Sequence, residues 1–478
     1  MVFSSLIFLF LFLPVFLGLY YLTPYKFRSI TILIGSYFFY AWWRVDFLLL
    51  LVAVTYWNYI ISKLILKNDG NQIGRRWMQL GVVGNLICLG FFKYFNFGVD
   101  SLNALLNESG MQTIEALRFI LPIGISFYIF QSISYLIDVY RKDAPPPSKF
   151  TDFAAFISLF PQLIAGPVLR YKDLADQFTQ RTHSFEKFSQ GAYRFMCGFV
   201  QKVLIADSVA DLVDKSFALE DPSMADAWLG ALAYTVQLYF DFCGYSNMAI
   251  GLGLMMGFKF IENFNHPYIS RSITEFWRRW HISLSAWLRD YLYIPLGGNR
   301  KGVVRTYINL FLTMLLGGLW HGANWTFILW GAWHGGILAI ERGLGARQKE
   351  KGTIEQKPSI AWNGAKMLFT FFLVVLGWVM FRAENVSQAF DYYGAMFGAN
   401  ANTGISDGLH WQITGVSMTA LAIGLIWSFA APAFEKYAGT QFKHTRKWYI
   451  HGVMIALFLL AVIKLGAQNY SPFLYFQF

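Results

Sequence analysis

Long apolar runs separated by short charged loops are the feature that most restricts how this chain can fold. A helix that crosses a bilayer needs about 20 apolar residues, whereas a barrel strand needs only about 10. Lipid offers no hydrogen-bond partner to an open backbone, so runs of this length form helices. The sequence predicts an all-α polytopic membrane protein. The runs lie at residues 4–22, 29–43, 47–66, 77–95, 119–139, 226–257, 307–340, 367–381, 414–433 and 449–467.

Some of these runs are long or broken enough to hold two passes, so we expect about ten to twelve membrane segments. The composition agrees with this expectation. Hydrophobic residues make up 56% of the 478 positions and charged residues 14%, whereas a soluble domain carries about 25% charge. The net charge of +11 lies mainly in loops, which argues against nucleic-acid binding. The 3 cysteines have no metal-ligand spacing and predict neither a disulfide framework nor a metal site.

Basic loops give the orientation, because cytoplasmic loops of membrane proteins are enriched in Lys and Arg. The first run has no basic residue ahead of it, so we expect a retained helix rather than a cleaved signal peptide. If the N-terminus is periplasmic, the basic loops after the first, third and fifth runs are all cytoplasmic. These loops contain Lys26 and Arg28, then Lys67, Arg75 and Arg76, then Arg141, Lys142 and Lys149.

Two stretches do not read as simple spans. Residues 150–210 mix polar and apolar positions and are interrupted by prolines, and residues 259–306 combine basic with aromatic side chains. Both predict amphipathic or re-entrant helices. Irregular backbone at membrane depth is tolerated where protein buries it or a cavity wets it, so a central cavity is expected. We find no internal repeat, which weakens a transporter or flippase interpretation.

His321 is the strongest candidate for chemistry. It follows an apolar run and is surrounded in sequence by glycines, which let a ligand or a neighbouring backbone approach closely. A buried imidazole stays neutral and can accept a proton, a role that typically contributes about 10²–10⁴ in rate. The alternative is a core histidine that is hydrogen-bonded across a helix interface.

The roles of three further polar residues remain open. His334 lies thirteen positions after His321 and therefore on a different face of any continuous helix, which favours a packing role. His281 follows two Trp-bearing positions and an Arg pair, a setting that suits an anionic ligand or an interfacial helix. Asp241 lies deep in an apolar run, where it can orient a histidine or pair with an arginine at 278, 279 or 289.

Six strings resemble the membrane-bound O-acyltransferase (MBOAT) family, and the similarity runs essentially end to end. Within this family, the last two strings are similar to members that acetylate alginate. Cys243 and Asn247 depart from the family pattern, in which Ser and Asp are usual. The strings are Leu121–Tyr128, Phe160–Pro167, Phe276–Asp290, Trp320–Gly322, Tyr291–Arg300 and Ser471–Phe478.

The resemblance implies a helical bundle around a central tunnel, with His321 and His281 as catalytic residues. It implies cytoplasmic acetyl-CoA as the donor, no bound metal or tightly bound cofactor, and periplasmic partner proteins that pass acetyl to an exported polysaccharide. Coenzyme A carries phosphates, so Arg278, Arg279 and Trp277 are expected to line its approach.

The resemblance also implies a location and a division of the chain. We expect a multi-pass protein of the bacterial inner membrane, with N-terminal membrane helices at 1–140, an MBOAT catalytic core at 141–340 and C-terminal membrane helices at 341–478. The alternative acceptors are peptidoglycan and cellulose, and a further alternative is D-alanyl transfer to teichoic acid.

Overall fold

Helices form the regular structure of the described chain. A computed structural model describes residues 1–147, 149–164, 166–350, 359–400, 402–442 and 448–468, with backbone only at 346–350, 435–442, 448 and 468. The resemblance string Ser471–Phe478 and Ala165 lie outside the described residues. Within the described ranges the α-helices are α1 Leu13–Leu22, α2 Arg28–Ala41, α3 Val45–Lys67, α4 Gln72–Glu108, α5 Ile125–Arg141, α6 Phe150–Ser158, α7 Phe160–Leu163, α8 Tyr171–Thr179, α9 Phe185–Val200, α10 Asp207–Phe217, α11 Met224–Met255, α12 Ile273–Arg279, α13 Ile282–Leu288, α14 Val303–His321, α15 Trp325–Glu350, α16 Ile360–Arg382, α17 Val386–Met396, α18 Asp407–His410, α19 Gly415–Phe442 and α20 Trp448–Gln468.

The predicted apolar runs coincide with helices. Each run overlaps a helix, and the run at 307–340 is divided into α14 and α15. Six described helices are long and apolar enough to cross a membrane, namely α3, α4, α14, α16 and the segments Gly415–Phe434 and Tyr449–Ala467. The all-α polytopic prediction is confirmed, and the protein is a multi-pass membrane protein.

The two stretches that do not read as spans form short elements. In 150–210 these include α6, α7 and α8, with 9, 4 and 9 residues. In 259–306 they are the 3-10 helix Pro267–Ile269, then α12 and α13, with 7 residues each, and the π-helix Arg289–Tyr293. None of these elements reaches the length of a span.

The chain forms two compact units. One contains residues 1–195 and 248–261, and the other contains residues 196–247 and 262–478. The division expected from the resemblance, at 140 and 340, follows the order of the chain and stays a prediction. The contact-based units differ from it because helix α11 contributes residues to both units.

In the first unit, buried amides join α3 to α4. Asn58 Nδ2 donates to Asn85 Oδ1 at 3.0 Å, and Asn85 Nδ2 donates back to Asn58 Oδ1 at 2.7 Å. Both residues are buried. Helices in lipid gain little from hydrophobic association, so paired polar side chains of this kind hold them together.

In the second unit, α14 and α15 form the most extensive helix pair. The pair packs closely because glycines face it: a Cβ atom at Gly331 would lie 2.5 Å from the Met314 carbonyl oxygen. Residues 322–324 separate the helices. Asn324 accepts a hydrogen bond from the Thr326 backbone N–H at 3.1 Å and donates to the Glu384 carbonyl at 2.8 Å. The break places His321 at the very end of α14.

Helix α12 is anchored to α15 through a carboxylate. Glu341 accepts hydrogen bonds from the backbone N–H groups of Ile273 and Thr274, at 2.6 and 2.9 Å. A helix N-terminus leaves its first N–H groups without intrahelical partners, and a carboxylate there also interacts favourably with the helix dipole. This cap fixes the start of the short α12–α13 segment that contains His281.

Candidate active site

His321 lies in an aromatic enclosure in the second unit. Its side chain is 4% exposed. Its ring centroid lies 5.0 Å from that of Trp320 and 5.1 Å from that of Trp330. Phe381, near the end of α16, lies 5.4 Å away. The predicted buried setting of His321 is therefore present, and the walls are aromatic rings from α14, α15 and α16.

His281 lies beside His321, with ring centroids 6.4 Å apart. Even if one nitrogen of each ring pointed straight at the other ring, the two nitrogens would lie farther apart than the hydrogen-bond distance of about 2.7–3.2 Å. A single oxygen atom can bridge such a gap. The structure therefore brings together the two histidines that the sequence predicts to be catalytic.

The position of His281 is set by an unusual backbone conformation. It connects α12 to α13 with φ +44°, in the left-handed region that costs a non-glycine residue free energy. Its side chain is fully buried, and its ring meets the Phe242 ring edge to face with centroids 4.7 Å apart. Burial lowers the pKa of His281 to about 3, so its imidazole is neutral at physiological pH.

Asn263 determines which nitrogen of His281 carries the proton. Asn263 Oδ1 lies 2.8 Å from Ser283 Oγ and 3.1 Å from His281 Nδ1. The Ser283 backbone N–H donates to the same atom at 3.3 Å, which identifies this atom as the oxygen of the amide. An amide oxygen only accepts, so in the contact with Asn263 His281 Nδ1 donates and Nε2 carries the lone pair; Ser283 Oγ lies farther from Nδ1, at 3.4 Å. This buried Nε2 has no hydrogen-bond partner among the described residues.

The residues predicted to bind the donor do not share one surface. Arg278 is exposed, whereas Arg279 binds Glu275 at 2.9 Å. Trp277 is turned inwards, where its Nε1 donates to His334 Nδ1 at 3.3 Å. Of the three, Arg278 is the one whose charge is open to solvent and without an ion-pair partner in the described chain. The predicted donor-binding role of all three residues stays a prediction.

His334 enters the same aromatic cluster as His321. The two histidines lie on separate helices, α14 and α15. The argument that thirteen residues place them on different faces of one helix therefore does not apply. Trp330 contacts both rings, with centroids 5.1 Å from His321 and 5.0 Å from His334. His334 Nε2 would lie 3.1 Å from a Cβ atom at Gly377, so this histidine packs tightly against α16.

Asp241 forms its ion pair elsewhere. Its carboxylate lies 2.6 Å from Lys202 Nζ, and Asp207 lies 2.5 Å from the same ammonium group. The side chains of Lys202 and Asp241 are almost fully buried. The sequence predicts an arginine or a histidine as the partner of Asp241. Lys202 takes that place because the π-helix Gln201–Ala206 brings it to the middle of α11.

Sequence reasoning missed Asn263, Trp330 and Phe381. Asn263 lies eighteen positions before His281 and Phe381 lies sixty positions after His321, so no local periodicity connects them to the histidines. Glu262, Asn265 and His266 surround Asn263 in the sequence, so no signal of a polar residue in apolar surroundings points to it. These observations define a multi-pass membrane protein in which two buried histidines lie side by side in an aromatic enclosure.

Comparison with known proteins identifies the family. The model of MBOAT, the membrane-bound O-acyltransferase family, matches residues 142–382. Over 495 residues the chain is 56% identical to the probable alginate O-acetylase AlgI of Pseudomonas putida, with 100% of both chains covered. It is 39% identical over 433 residues to the peptidoglycan O-acetyltransferase of Helicobacter pylori, covering 84% of this chain and 80% of that protein.

A third relative is more distant. The teichoic acid D-alanyltransferase of Bacillus subtilis is 29% identical over 284 residues, covering 55% of this chain and 69% of that protein. The chain belongs to the membrane-bound O-acyltransferase family and is an O-acyltransferase, as the sequence predicts.

Proposed function

We propose that this protein is an inner-membrane O-acetyltransferase that moves acetyl from cytoplasmic acetyl-CoA towards exported alginate, with periplasmic proteins completing the transfer. The observation that carries the acyl-transfer chemistry is the buried pair of His321 and His281. The full-length similarity to probable alginate O-acetylases supports the acceptor.

The chemistry follows from the neutral state of His281 and from the position of His321 beside it. An attacking hydroxyl between the rings gives its proton to a neutral histidine nitrogen while its oxygen bonds to the acetyl carbon. The carbon–sulfur bond then breaks, and the proton passes to the leaving thiolate of coenzyme A. His281 Nε2 offers a lone pair for this step, and His321 faces it from the end of α14.

The donor is expected to approach from the cytoplasmic face. Its phosphates cannot enter lipid, and arginine forms charge-assisted hydrogen bonds with phosphate. Arg278 is exposed and lies three residues from His281 in sequence. We therefore assign the first contact with coenzyme A to Arg278 rather than to Arg279, whose guanidinium group binds Glu275.

A cavity at the C-terminal end of α16 supports transfer through a partner protein. This cavity of about 490 Å³ is lined by the acids Asp214, Glu220, Glu384 and Asp391 and by Arg382. Arg382 binds Asp214 at 2.7 Å, and the other three acids have no ion-pair partner among the described residues. Alginate is a polymer of uronic acids, and like charges repel. This surface does not suit the polymer itself.

The test of this proposal is substitution of each buried histidine in a host that lacks its own copy of the gene. His321→Ala and His281→Ala should each reduce the acetyl content of exported alginate at least about 100-fold, since each loses a group that handles the proton. His334→Ala is the control, because it removes a buried histidine from the same aromatic cluster, and it should have a mild effect.

Membrane insertion of all three variants is checked by immunoblotting of washed membranes. More than about a tenth of wild-type acetylation in His321→Ala would contradict the catalytic role. Equal and severe loss in all three variants would mean that the cluster acts through packing alone.

A second candidate acceptor is peptidoglycan, because a relative named for that activity is 39% identical to this chain. Acetyl groups are therefore measured in peptidoglycan as well as in alginate from the same cells. Loss from peptidoglycan with unchanged alginate would replace the proposed acceptor.

A further inference from the structure

Two arginines of the first unit share a pair of tyrosine rings. The guanidinium carbon of Arg28 lies 5.0 Å from the ring centroid of Tyr20 and 5.9 Å from that of Tyr25. The guanidinium carbon of Arg181 lies 5.9 and 5.5 Å from the same two centroids. Both cations are therefore held at one place by the same aromatic side chains.

Neither arginine has a carboxylate partner within the described chain. Arg181 is 6% exposed, yet its hydrogen bonds go to neutral oxygens: the Tyr20 hydroxyl at 3.0 Å and the carbonyls of Gln177 and Phe178 at 3.3 Å. Arg28 donates to the Thr23 carbonyl at 3.2 Å. A buried charge without a counterion is costly, and two like charges at one place add to that cost.

His183 does not balance the two arginines, because an imidazole is either neutral or positively charged. Arg28 Nη1 lies 3.0 Å from His183 Nε2. Burial, followed by the charges of Arg28 and Arg181, lowers the pKa of His183 to about 4. The histidine is therefore neutral at physiological pH, and the charge of Lys187 acts on it in the same direction. The local excess of positive charge is left for a ligand to balance.

We propose that Arg28 and Arg181 form a phosphate-binding site, separate from the two catalytic histidines and independent of acyl transfer. A phosphate group carries the charge that the site lacks, and its oxygens match the planar fork of guanidinium donors. Tyr20 and Tyr25 hold the two forks in place. The chemistry fits both the headgroup of an anionic phospholipid and a free phosphate compound.

The surroundings favour a phospholipid as the source. Leu22 and Phe27 are 83% and 49% exposed, and Phe185, two residues after His183, is 87% exposed. Apolar side chains of this size are exposed at low cost where acyl chains cover them. By the expected orientation, the loop with Arg28 is cytoplasmic, where anionic headgroups attract basic segments.

The test uses full-length protein purified in a neutral detergent. The midpoint of thermal unfolding is measured while phosphatidylglycerol, phosphatidylcholine or inorganic pyrophosphate is added, because a ligand that binds only the folded state raises the midpoint. Wild-type protein should respond to phosphatidylglycerol and not to phosphatidylcholine. Arg28→Gln should need about fivefold more phosphatidylglycerol for the same shift.

Two further variants make the result specific. Arg75→Gln/Arg76→Gln removes two exposed arginines near the start of α4 and should respond as the wild type does. Arg28→Lys keeps the charge without the fork of guanidinium donors. The phosphatidylglycerol concentration that it needs should lie between those of the wild type and Arg28→Gln. This variant replaces Arg28→Gln in the test if Arg28→Gln is unstable.

The outcomes separate the two sources of phosphate. A response to pyrophosphate that is lost in Arg28→Gln assigns the site to a soluble phosphate compound, and the phosphatidylglycerol response assigns it to lipid. An unchanged lipid response in Arg28→Gln, an equal loss in Arg75→Gln/Arg76→Gln, or no response to either anion would overturn the proposal.

Discussion

Asn263 fixes which nitrogen of His281 carries the proton, while burial keeps the imidazole neutral. The amide oxygen receives His281 Nδ1–H and the Ser283 backbone N–H, and the backbone carbonyl of Asn263 receives the Ile282 N–H at 3.0 Å. Asn263 and residues 281–283 thus hold one imidazole in one tautomer through hydrogen bonds. Asn263 acts through His281 and is a positioning residue of the proposed reaction.

Replacement of Asn263 should change both the rate and its pH dependence. Asn263→Ala removes the acceptor, so Nε2 no longer keeps its lone pair and kcat should fall at least about tenfold. Asn263→Asp keeps an oxygen opposite Nδ1 and adds a negative charge, which raises the pKa of His281 from about 3. Consumption of acetyl-CoA by isolated membranes, measured across pH, gives both quantities.

The sign of the pH effect follows from the neutral state of His281. In the wild type this imidazole becomes protonated only below about pH 3, so it contributes no acid limb to kcat/KM near neutral pH. In Asn263→Asp the acid limb should move to higher pH. Among the described residues, His321 is the titratable side chain whose ring lies beside His281, and it is unchanged in both variants. Identical profiles for Asn263→Asp and the wild type would contradict the positioning role.

The sequence singles out the two histidines of the candidate site but not the residues that hold them in place. His321 and His281 are recognisable because an imidazole in apolar or aromatic surroundings is costly and usually purposeful. The residues that set their geometry, Asn263 and Phe381, come from distant parts of the chain. Contacts of such long range depend on how helices pack, and no periodicity of 3.6 residues records them.

At the scale of elements, the α14–α15 pair holds His321 in place through close backbone contact. A Cβ atom at Gly331 would meet backbone atoms of α14, with the Met314 carbonyl oxygen at 2.5 Å and the Leu315 Cα at 3.0 Å. Backbone atoms cannot turn aside as side chains can. The helices would have to separate, and His321 would move with the end of α14.

Gly331→Ala should therefore lower both stability and activity. Overpacking of this kind costs about 1–3 kcal/mol, which should appear as a lower midpoint of thermal unfolding. The matched control is Gly336→Ala on the same helix, where the added Cβ meets no atom within 4 Å. Alanine favours a helix over glycine by up to about 1 kcal/mol, so this control should be neutral or stabilising. Equal effects of the two substitutions would contradict the close-packing account.

The positions of most elements were predictable because lipid forces long apolar runs to be helical. The division of residues 307–340 was not. Its break at 322–324 depends on Asn324, which caps α15 and reaches the Glu384 carbonyl. This tertiary contact brings α15 back beside α14, so His334 joins the cluster around His321 although thirteen residues of continuous helix would have separated their faces.

At the scale of the whole molecule, the proposed donor route makes a kinetic prediction. Arg278→Glu reverses an exposed charge and should raise KM for acetyl-CoA more than it lowers kcat, as expected when ground-state binding is lost. Added salt should weaken donor binding in the wild type and do less in the variant. Arg75→Glu, an equal change at an exposed arginine near the start of α4, is the control. An unchanged KM in Arg278→Glu would mean that the basic segment rests on lipid headgroups instead.

The last prediction concerns the direction of α14, on which the donor route depends. This helix has 19 residues, a length of about 28 Å, and lies between Arg300 and the break at 322–324. Glu384 marks the far end, because its carbonyl accepts from Asn324, and both Arg300 and Glu384 are exposed.

With Cys88, Cys197 and Cys243 first replaced by serine, a single cysteine is introduced at 300 or at 384. A membrane-impermeant thiol reagent added to intact spheroplasts should label Glu384→Cys and leave Arg300→Cys unlabelled until the membrane is opened, because the basic side of a membrane protein faces the cytoplasm. Labelling of Arg300→Cys from outside would reverse both the orientation and the side from which acetyl-CoA reaches the histidines.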